Sequence, residues 1–209
     1  VKYDASGNVI WANGFGENES EVITSCVNDN TGNLYVTGYF NSPMLILGTD
    51  TLINQGYYDF FIAKYNPAGN VLWAKSAGDN GFDRGNCITM DNVNHIYVTG
   101  FFDSAPITFD GITLQNAGDF DAFTVKYDTL GNAMWAESIG NTGFESGSNI
   151  IFDTNGNFYL TGSFNSADIT IGGINHINNT VGTNDIFLIK YNPNGNVLWV
   201  KTAGGSNND

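Results

Sequence analysis

Apolar residues in this chain come in short alternating stretches and never settle into a helical period. Between residues 21 and 76 there are four such stretches: Glu21–Asn28, Asn33–Asn41, Asp59–Tyr65 and Val71–Ser76. Each is rich in Val, Ile, Tyr, Phe and Thr and is bounded by Gly, Asn and Asp, so each reads as a β-strand. We name them strands A to D. The A–B link (Asp29-Asn30-Thr31-Gly32-Asn33) and the C–D link (Asn66-Pro67-Ala68-Gly69-Asn70) have the chemistry of tight hairpins. The B–C connection is longer and carries a small hairpin of its own, clearest at Ile107–Leu114 with Asp110-Gly111 at its tip. Strand C places Asp59, Phe61, Ala63 and Tyr65 on one face and Phe60, Ile62 and Lys64 on the other. Apolar residues on both faces predict a sheet covered from both sides.

The pattern repeats. Lys2-Tyr3-Asp4 returns as Lys64-Tyr65-Asn66, Lys126-Tyr127-Asp128 and Lys190-Tyr191-Asn192, at intervals of 62 to 64 residues. Gly-Asn follows each time, then Trp11, Trp73, Trp135 or Trp199, then a closing Gly16, Gly78, Gly140 or Gly204. Tyr35/Tyr97/Tyr159, Asp59/Asp121/Asp185 and Phe61/Phe123/Phe187 recur with the same period. The chain divides into residues 1–16 (strands C–D of a preceding unit), whole units 17–78, 79–140 and 141–204, and residues 205–209 opening another. A four-stranded antiparallel sheet that recurs every ~60 residues, covered by its neighbours, is a propeller blade. The predicted fold is therefore all-β, a β-propeller segment whose blades each carry an extra hairpin. A propeller ring needs at least ~4 blades, so the remaining blades of a longer chain, or a second copy, are expected to close it. The start in mid-pattern at Val1 favours a piece of a longer chain.

Composition agrees and narrows the function. Of 209 residues, 42% are hydrophobic, 14% aromatic and only 13% charged, and 26 are Gly, which suits a turn-rich β protein. A formal net charge of −14 argues against nucleic acid and anionic membrane surfaces as partners. No apolar run approaches the ~20 residues of a membrane-spanning helix. Cys26 and Cys87 are too few for a disulfide scaffold or a zinc site. They stand one residue out of register on strand A of consecutive units, where they read as two small buried thiols or a pair able to approach across a blade boundary.

The string Tyr-Val-Thr-Gly-x-Phe, followed by Asp-x-Phe-x-x-Lys-Tyr-(Asp/Asn)-x-x-Gly-Asn-x-x-Trp and a closing Gly, resembles the SBBP-type β-propeller repeat. The resemblance covers essentially the whole chain. It implies a large bacterial protein, secreted or displayed on the cell surface, often exported by type IX secretion. It implies no shared catalytic residues.

Candidate chemistry is sparse. The four Trp residues read either as a glycan platform or as a wedge between blades. Burying one Trp removes ~150–250 Å² from water, roughly 4–6 kcal/mol at most, which suffices to explain the recurrence. Asp59, Asp121 and Asp185 are the candidate binding residues, as calcium ligands or glycan acceptors. The same positions suit acceptance of backbone N–H groups from the preceding loops at Gly56, Gly118 and Gly182. The repeated lysines read as solvated or paired charges whose stems cover apolar surface. Asp153-Thr154-Asn155-Gly156-Asn157 resembles the opening of a calcium loop, but Phe164 stands where the closing Glu belongs, so it reads as a hairpin turn. His95 reads as a turn residue, and neither it nor His176 joins a recognisable catalytic set.

Charge placement divides the two sides of the predicted ring. The side of the B–C and D–A loops receives Glu17, Glu19, Glu21, Asp50, Asp59, Asp79, Asp83, Asp103, Asp110, Asp119, Asp121, Glu145, Asp168 and Asp185, offset only by Arg84. An acidic loop face attracts divalent cations or a basic partner. No motif calls for a cofactor; such a face either keeps a large extracellular protein soluble or attracts a divalent cation, calcium being the candidate. The expected function is non-catalytic: a scaffold or interaction module contacting protein or glycan. The alternatives are a structural spacer, cation-stabilised or not, and a noncatalytic part of a larger extracellular enzyme.

Overall fold

The structure, a computed structural model, describes residues 1–16, 19–178 and 180–209. It is all-β. The short pair β1 (Lys2–Tyr3) and β2 (Val9–Trp11) comes first. Unit one follows as β3 (Glu21–Asn28), β4 (Leu34–Phe40), the hairpin β5 (Met44–Leu47) and β6 (Asp50–Ile53), then β7 (Asp59–Tyr65) and β8 (Val71–Ala77). Unit two is β9 (Arg84–Met90), β10 (Ile96–Phe102), β11 (Ile107–Phe109), β12 (Ile112–Leu114), β13 (Asp121–Tyr127) and β14 (Ala133–Ile139). Unit three is β15 (Glu145–Phe152), β16 (Phe158–Phe164), β17 (Asp168–Ile171), β18 (Ile174–Ile177), β19 (Asp185–Tyr191) and β20 (Val197–Ala203). Each unit is one antiparallel sheet in the order A-B-C-D, with its small hairpin a separate two-stranded sheet.

The apolar positions on both strand faces go where the alternation placed them. Phe60, Phe61, Ile62 and Ala63 on β7 are all fully buried, as are Tyr35 and Phe40 on β4. The repeated Tyr97, Phe123 and Phe187 are likewise buried, while Tyr159 is half-buried. Strand A of each unit lies against strand A of the next (β3 on β9, β9 on β15), whereas the outer strands meet the next unit through its C–D turn and hairpin. Sheets that touch along one edge and splay at the other fan around a common axis. The A–B turns of all three units accordingly gather round one cavity of about 320 Å³, lined by Asp29, Asp91 and Asp153 among others.

Two local devices hold neighbouring blades together, one at the hub and one at the rim. Between strands A and B the register slips by one residue in every unit, at Ile23/Ser25, at Cys87 and Gly85 opposite Thr99/Gly100, and at Gly147/Asn149. A bulge of this kind frees one residue from the ladder and re-aims it. The freed residues stitch neighbouring blades: Thr24 Oγ1 donates to the Gly85 carbonyl at 2.5 Å, and Asn86 Nδ2 to the Gly147 carbonyl at 2.9 Å.

The second device is the Trp wedge. Trp11 Nε1 donates to the Pro67 carbonyl at 3.1 Å and Trp73 Nε1 to the Thr129 carbonyl at 3.2 Å, each reaching the C–D turn of the next blade. The indole of Trp73 covers Gly131, where φ is +84° and a Cβ would lie 3.1 Å from the ring. Only Gly meets both demands cheaply. Trp135 covers Gly195 more loosely, at 3.8 Å. Lys64 Nζ grips the same Thr129 carbonyl at 3.0 Å while lying over the Tyr35 ring.

Cys26 and Cys87 are both free. Burial was expected of both, but Cys26 is exposed and Cys87 half-buried, its Sγ 3.0 Å from Asn149 Oδ1. Cys26 opens into a cavity beside β2, because β1 and β2 cover only part of the first sheet's outer face.

Candidate functional site: an aromatic cleft on the loop face

The acidic loop face of the sequence reading is smaller than its list of residues. Asp59, Asp83, Asp121, Glu145 and Asp185 are at most 2% exposed. Asp59 Oδ2 accepts the Gln55 N–H and Asp121 Oδ2 the Ala117 N–H, both at 3.0 Å, one residue ahead of the predicted Gly donors. The other oxygens of these carboxylates press against the closing Gly78 and Gly140, and Asp185 packs likewise on Gly204. Buried carboxylates there are structural anchors, out of reach of a surface ligand.

Glu21, Asp83 and Glu145 form a second repeated set that the sequence reading treated as surface charge. Ser42 donates to Glu21, Ser104 Oγ to Asp83 at 2.5 Å and Ser166 Oγ to Glu145 at 2.6 Å. The signal was available: each Ser follows its acid by 21 residues. Asp50 and Asp110 also leave the loop face. The small hairpins carry them down the outer strand, where Asp50 Oδ2 accepts the Ala74 N–H at 2.8 Å. Asp110 Oδ2 accepts the Ala133 N–H at 3.0 Å and pairs with Lys75 at 2.5 Å. Glu17 lies outside the described residues.

Desolvation raises several of the acids. It pushes Asp59 and Asp121 up to about 6, the nearby Asp79 and Glu145 charges adding to the effect. Asp83 goes up to about 7 by burial, opposed by its Ser104 hydrogen bonds and reinforced by the charges of Asp59 and Asp103. Glu137, half-buried on β14, is also raised by desolvation, to about 7. The turn acids behave oppositely. At Asp29 burial works against ionisation, but hydrogen bonds from Asn33 and Thr31 outweigh it and hold the carboxyl at about 2. Asp153 makes the same turn contacts, and its carboxyl is lowered chiefly by Asn157. That is the hairpin geometry expected of this loop, and His95 joins the matching turn through Asp91. No group of three or more His, Cys, Asp or Glu side chains placed to hold a metal occurs among the described residues.

What the loop face does carry is aromatic. Phe82 and Phe144 precede strand A of units two and three, Tyr57, Tyr58 and Phe120 precede strand C of units one and two, and Tyr39 and Phe101 lie near the ends of β4 and β10. Parallel bridges Tyr58–Phe82 and Phe120–Phe144 tie these segments across the two blade junctions. Ring centroids then run 5.2 Å (Tyr39–Tyr58), 5.6 Å (Tyr58–Phe82), 6.4 Å (Phe82–Phe120) and 5.0 Å (Phe120–Phe144), an unbroken strip. Arg84 lies within it, its guanidinium 4.3 Å from the Tyr39 ring centre and 4.9 Å from that of Tyr58. Phe82, Arg84, Phe101, Phe120 and Phe144 line an open cleft of about 380 Å³. Next to it, Asp79, Asn80, Gly81, Asp103 and Ser104 line a polar one of about 280 Å³. Phe82 joins the two, its N–H donating to Asp103. Sequence reasoning singled out Arg84 as the lone base of this face and passed over the rings, because they do not recur in every unit.

Fold and interior together define a segment of a β-propeller built from four-stranded antiparallel blades. The comparisons with known proteins agree at that level. No protein-family model matches the chain. An uncharacterised WD repeat-containing protein, L264, of Acanthamoeba polyphaga mimivirus is 38% identical over 157 residues, 68% of this chain. The chain spans 11% of the length of that relative. A crystal structure of a protein of unknown function from Bacteroides caccae aligns over 95% of this chain and 87% of that one. Its identity is 10% and its TM-score 0.29, too little likeness to bear on fold or function.

Proposed function

We propose that the chain is a non-catalytic interaction scaffold, a propeller segment that holds an aromatic cleft open on its loop face to contact protein or glycan. The observation that carries this reading is the strip from Tyr39 to Phe144 with Arg84 inside it. Half-exposed rings in one continuous patch keep water-facing apolar surface, which soluble domains retain chiefly where something binds. Of the two histidines, His95 is spent on the Asp91 turn and His176 lies in the third small hairpin. A secreted or cell-surface bacterial setting rests on the resemblance of the repeat string alone, and the viral relative does not bear on it. No helix among the described residues is long and apolar enough to cross a membrane.

The test is retention of ligands from a surface extract and a glycan array, with Phe101→Ser/Phe120→Asn run beside the parent chain. A ligand held by the parent and released by the variant is expected. Equal retention by both would place the contact elsewhere and overturn the reading.

The scaffold's neighbours are of its own kind. Trp199 is 37% exposed where Trp11, Trp73 and Trp135 are half-buried, and Ile186 is exposed where its counterparts Phe60 and Ala122 are buried. At the other end Gly7, the counterpart of Gly69 and Gly131, has no described residue within 4 Å of where its Cβ would stand. The two ends therefore match as wedge and seat, and a further blade of a longer chain or a second copy would join them. Sedimentation of the chain is expected to show concentration-dependent self-association that Trp199→Ala weakens; a monomer at all concentrations would remove the second copy.

A further inference from the structure

We infer that the cleft around Arg84 takes a neutral glycan, a pyranose ring lying against the Phe101–Phe120–Phe144 face with its hydroxyls turned toward the polar cleft at Asp79, Asn80 and Asp103. This rests on the reading of the loop face as a contact surface and names the chemistry of what it contacts.

The fold does not need these side chains. Where units one and two carry Tyr39 and Phe101, unit three carries Ser163; where they carry Tyr58 and Phe120, it carries Asn184. At the position of Arg84 unit three has Ser146. Unit three nonetheless forms the same four-stranded sheet in the same register. The equivalent backbone bond is kept too: Asp209 N–H to the Asn184 carbonyl at 2.9 Å, beside Glu145 N–H to the Phe120 carbonyl at 2.7 Å. The rings and the guanidinium are thus an addition made at two junctions only.

Arg84 is itself underused. Its Nε is buried and has no hydrogen-bond partner, and no carboxylate stands within ion-pair distance of it among the described residues. In a chain with 21 acids this guanidinium is held by rings instead, in the wall of an open cleft.

The chemistry of the two clefts selects the ligand. Phenyl faces present π surface to a flat apolar partner and offer no hydrogen bond of their own. The adjoining cleft presents carboxylates and amides, acceptors for paired hydroxyls. A pyranose has both surfaces, an apolar face of C–H groups and an equatorial rim of hydroxyls. The cleft volumes sit near the small end of the range for small-molecule sites. Charge excludes the acidic sugars: with a net −14, and with Asp79 and Asp103 lining the polar cleft, a polyanion is repelled, and one guanidinium does not reverse that.

Calorimetric titration of the 209-residue protein decides it. The probes are soluble hexamers of glucose, N-acetylglucosamine, xylose and mannose, with a galacturonate hexamer beside them. Binding of at least one neutral hexamer is expected, weakened about ten-fold or more by Phe101→Ser/Phe120→Asn and by Arg84→Ser. These replacements copy unit three and are expected to keep the thermal transition, which is measured alongside. Binding that survives them, binding of the galacturonate hexamer alone, or no binding to any hexamer each overturns the glycan assignment. In the last case a protein ligand still released by the same variants would leave the contact surface standing, whereas no ligand of either kind would remove both.

Discussion

Gly100→Val is expected to abolish the cooperative unfolding transition of the chain or to lower its stability by more than about 4 kcal/mol. Gly100 sits on β10 opposite the bulge in β9, and a Cβ there would lie 1.8 Å from the Arg84 carbonyl oxygen. The obstruction is backbone, so no side-chain rotation relieves it. Widening the gap would part strands A and B where Asn86 is turned out to reach Gly147, so the neighbouring blade would lose its stitch as well. Gly38 and Gly162 face the same demand, with Val22 and Ser146 carbonyl oxygens 1.8 and 2.2 Å from an added Cβ. The control is Gly14→Ala, exposed and with no described residue within 4 Å of an added Cβ, expected to shift stability by less than about 0.5 kcal/mol. Urea unfolding followed by far-ultraviolet circular dichroism compares the two. A Gly100→Val protein that melts like the parent would show that the bulge is not what sets the A–B spacing.

How far the sequence reached follows from what repeats. Strands A and C of unit one match β3 and β7 residue for residue, and B and D match β4 and β8 to within one residue. Alternation fixes strands well when both faces are buried, since every position is then constrained. The Trp wedge was legible because each blade repeats it, whereas the Gly that seats it emerged only from the structure. The acid–serine pairs repeat just as strictly, yet a charged residue taken alone reads as solvated. Only its pairing with a hydroxyl at constant separation distinguishes Asp83 from a surface Asp. Asp110 was misplaced for a different reason: the small hairpin runs along the outer strand, and its reach depends on packing against β14, which sequence spacing does not encode. The cleft escaped notice because a search for repetition discards positions that differ between units. Tyr39, Phe101 and Ser163 share one repeat position with no common chemistry, and only the parallel bridges across the junctions bring the rings of units one and two together.

Mild acid is expected to stabilise the protein, its melting temperature at pH 5 exceeding that at pH 8 by about 5 °C or more. Asp59 and Asp121 (about 6) and Asp83 and Glu137 (about 7) all hold their protons more tightly when folded than an exposed carboxyl does. For groups with a raised folded value, the native state binds more protons than the unfolded one. Their contribution is complete below pH 4 and is lost as pH rises through 6 and 7. The turn acids act in the opposite sense and in another window: Asp29, lowered to about 2, contributes above pH 4 and loses its contribution toward pH 2. Stability is thus highest near pH 4 to 5, between the two sets. Each kcal/mol moves the midpoint of a chain this size by ~2–4 °C, so partial retention of four such shifts is enough. Relief of general repulsion in a chain of net charge −14 has the same sign, and the variant Asp59→Asn/Asp83→Asn separates the causes. These carboxyls face each other across Gly78, and an amide has the shape of the protonated acid without its titration. If paired burial governs, the variant is stabilised at pH 8, little changed at pH 5, and its melting profile flattens between them. A parallel displacement at both pH values would assign the effect to overall charge, and a parent protein that gains stability from pH 5 to pH 8 would show that the interior acids are ionised at no cost.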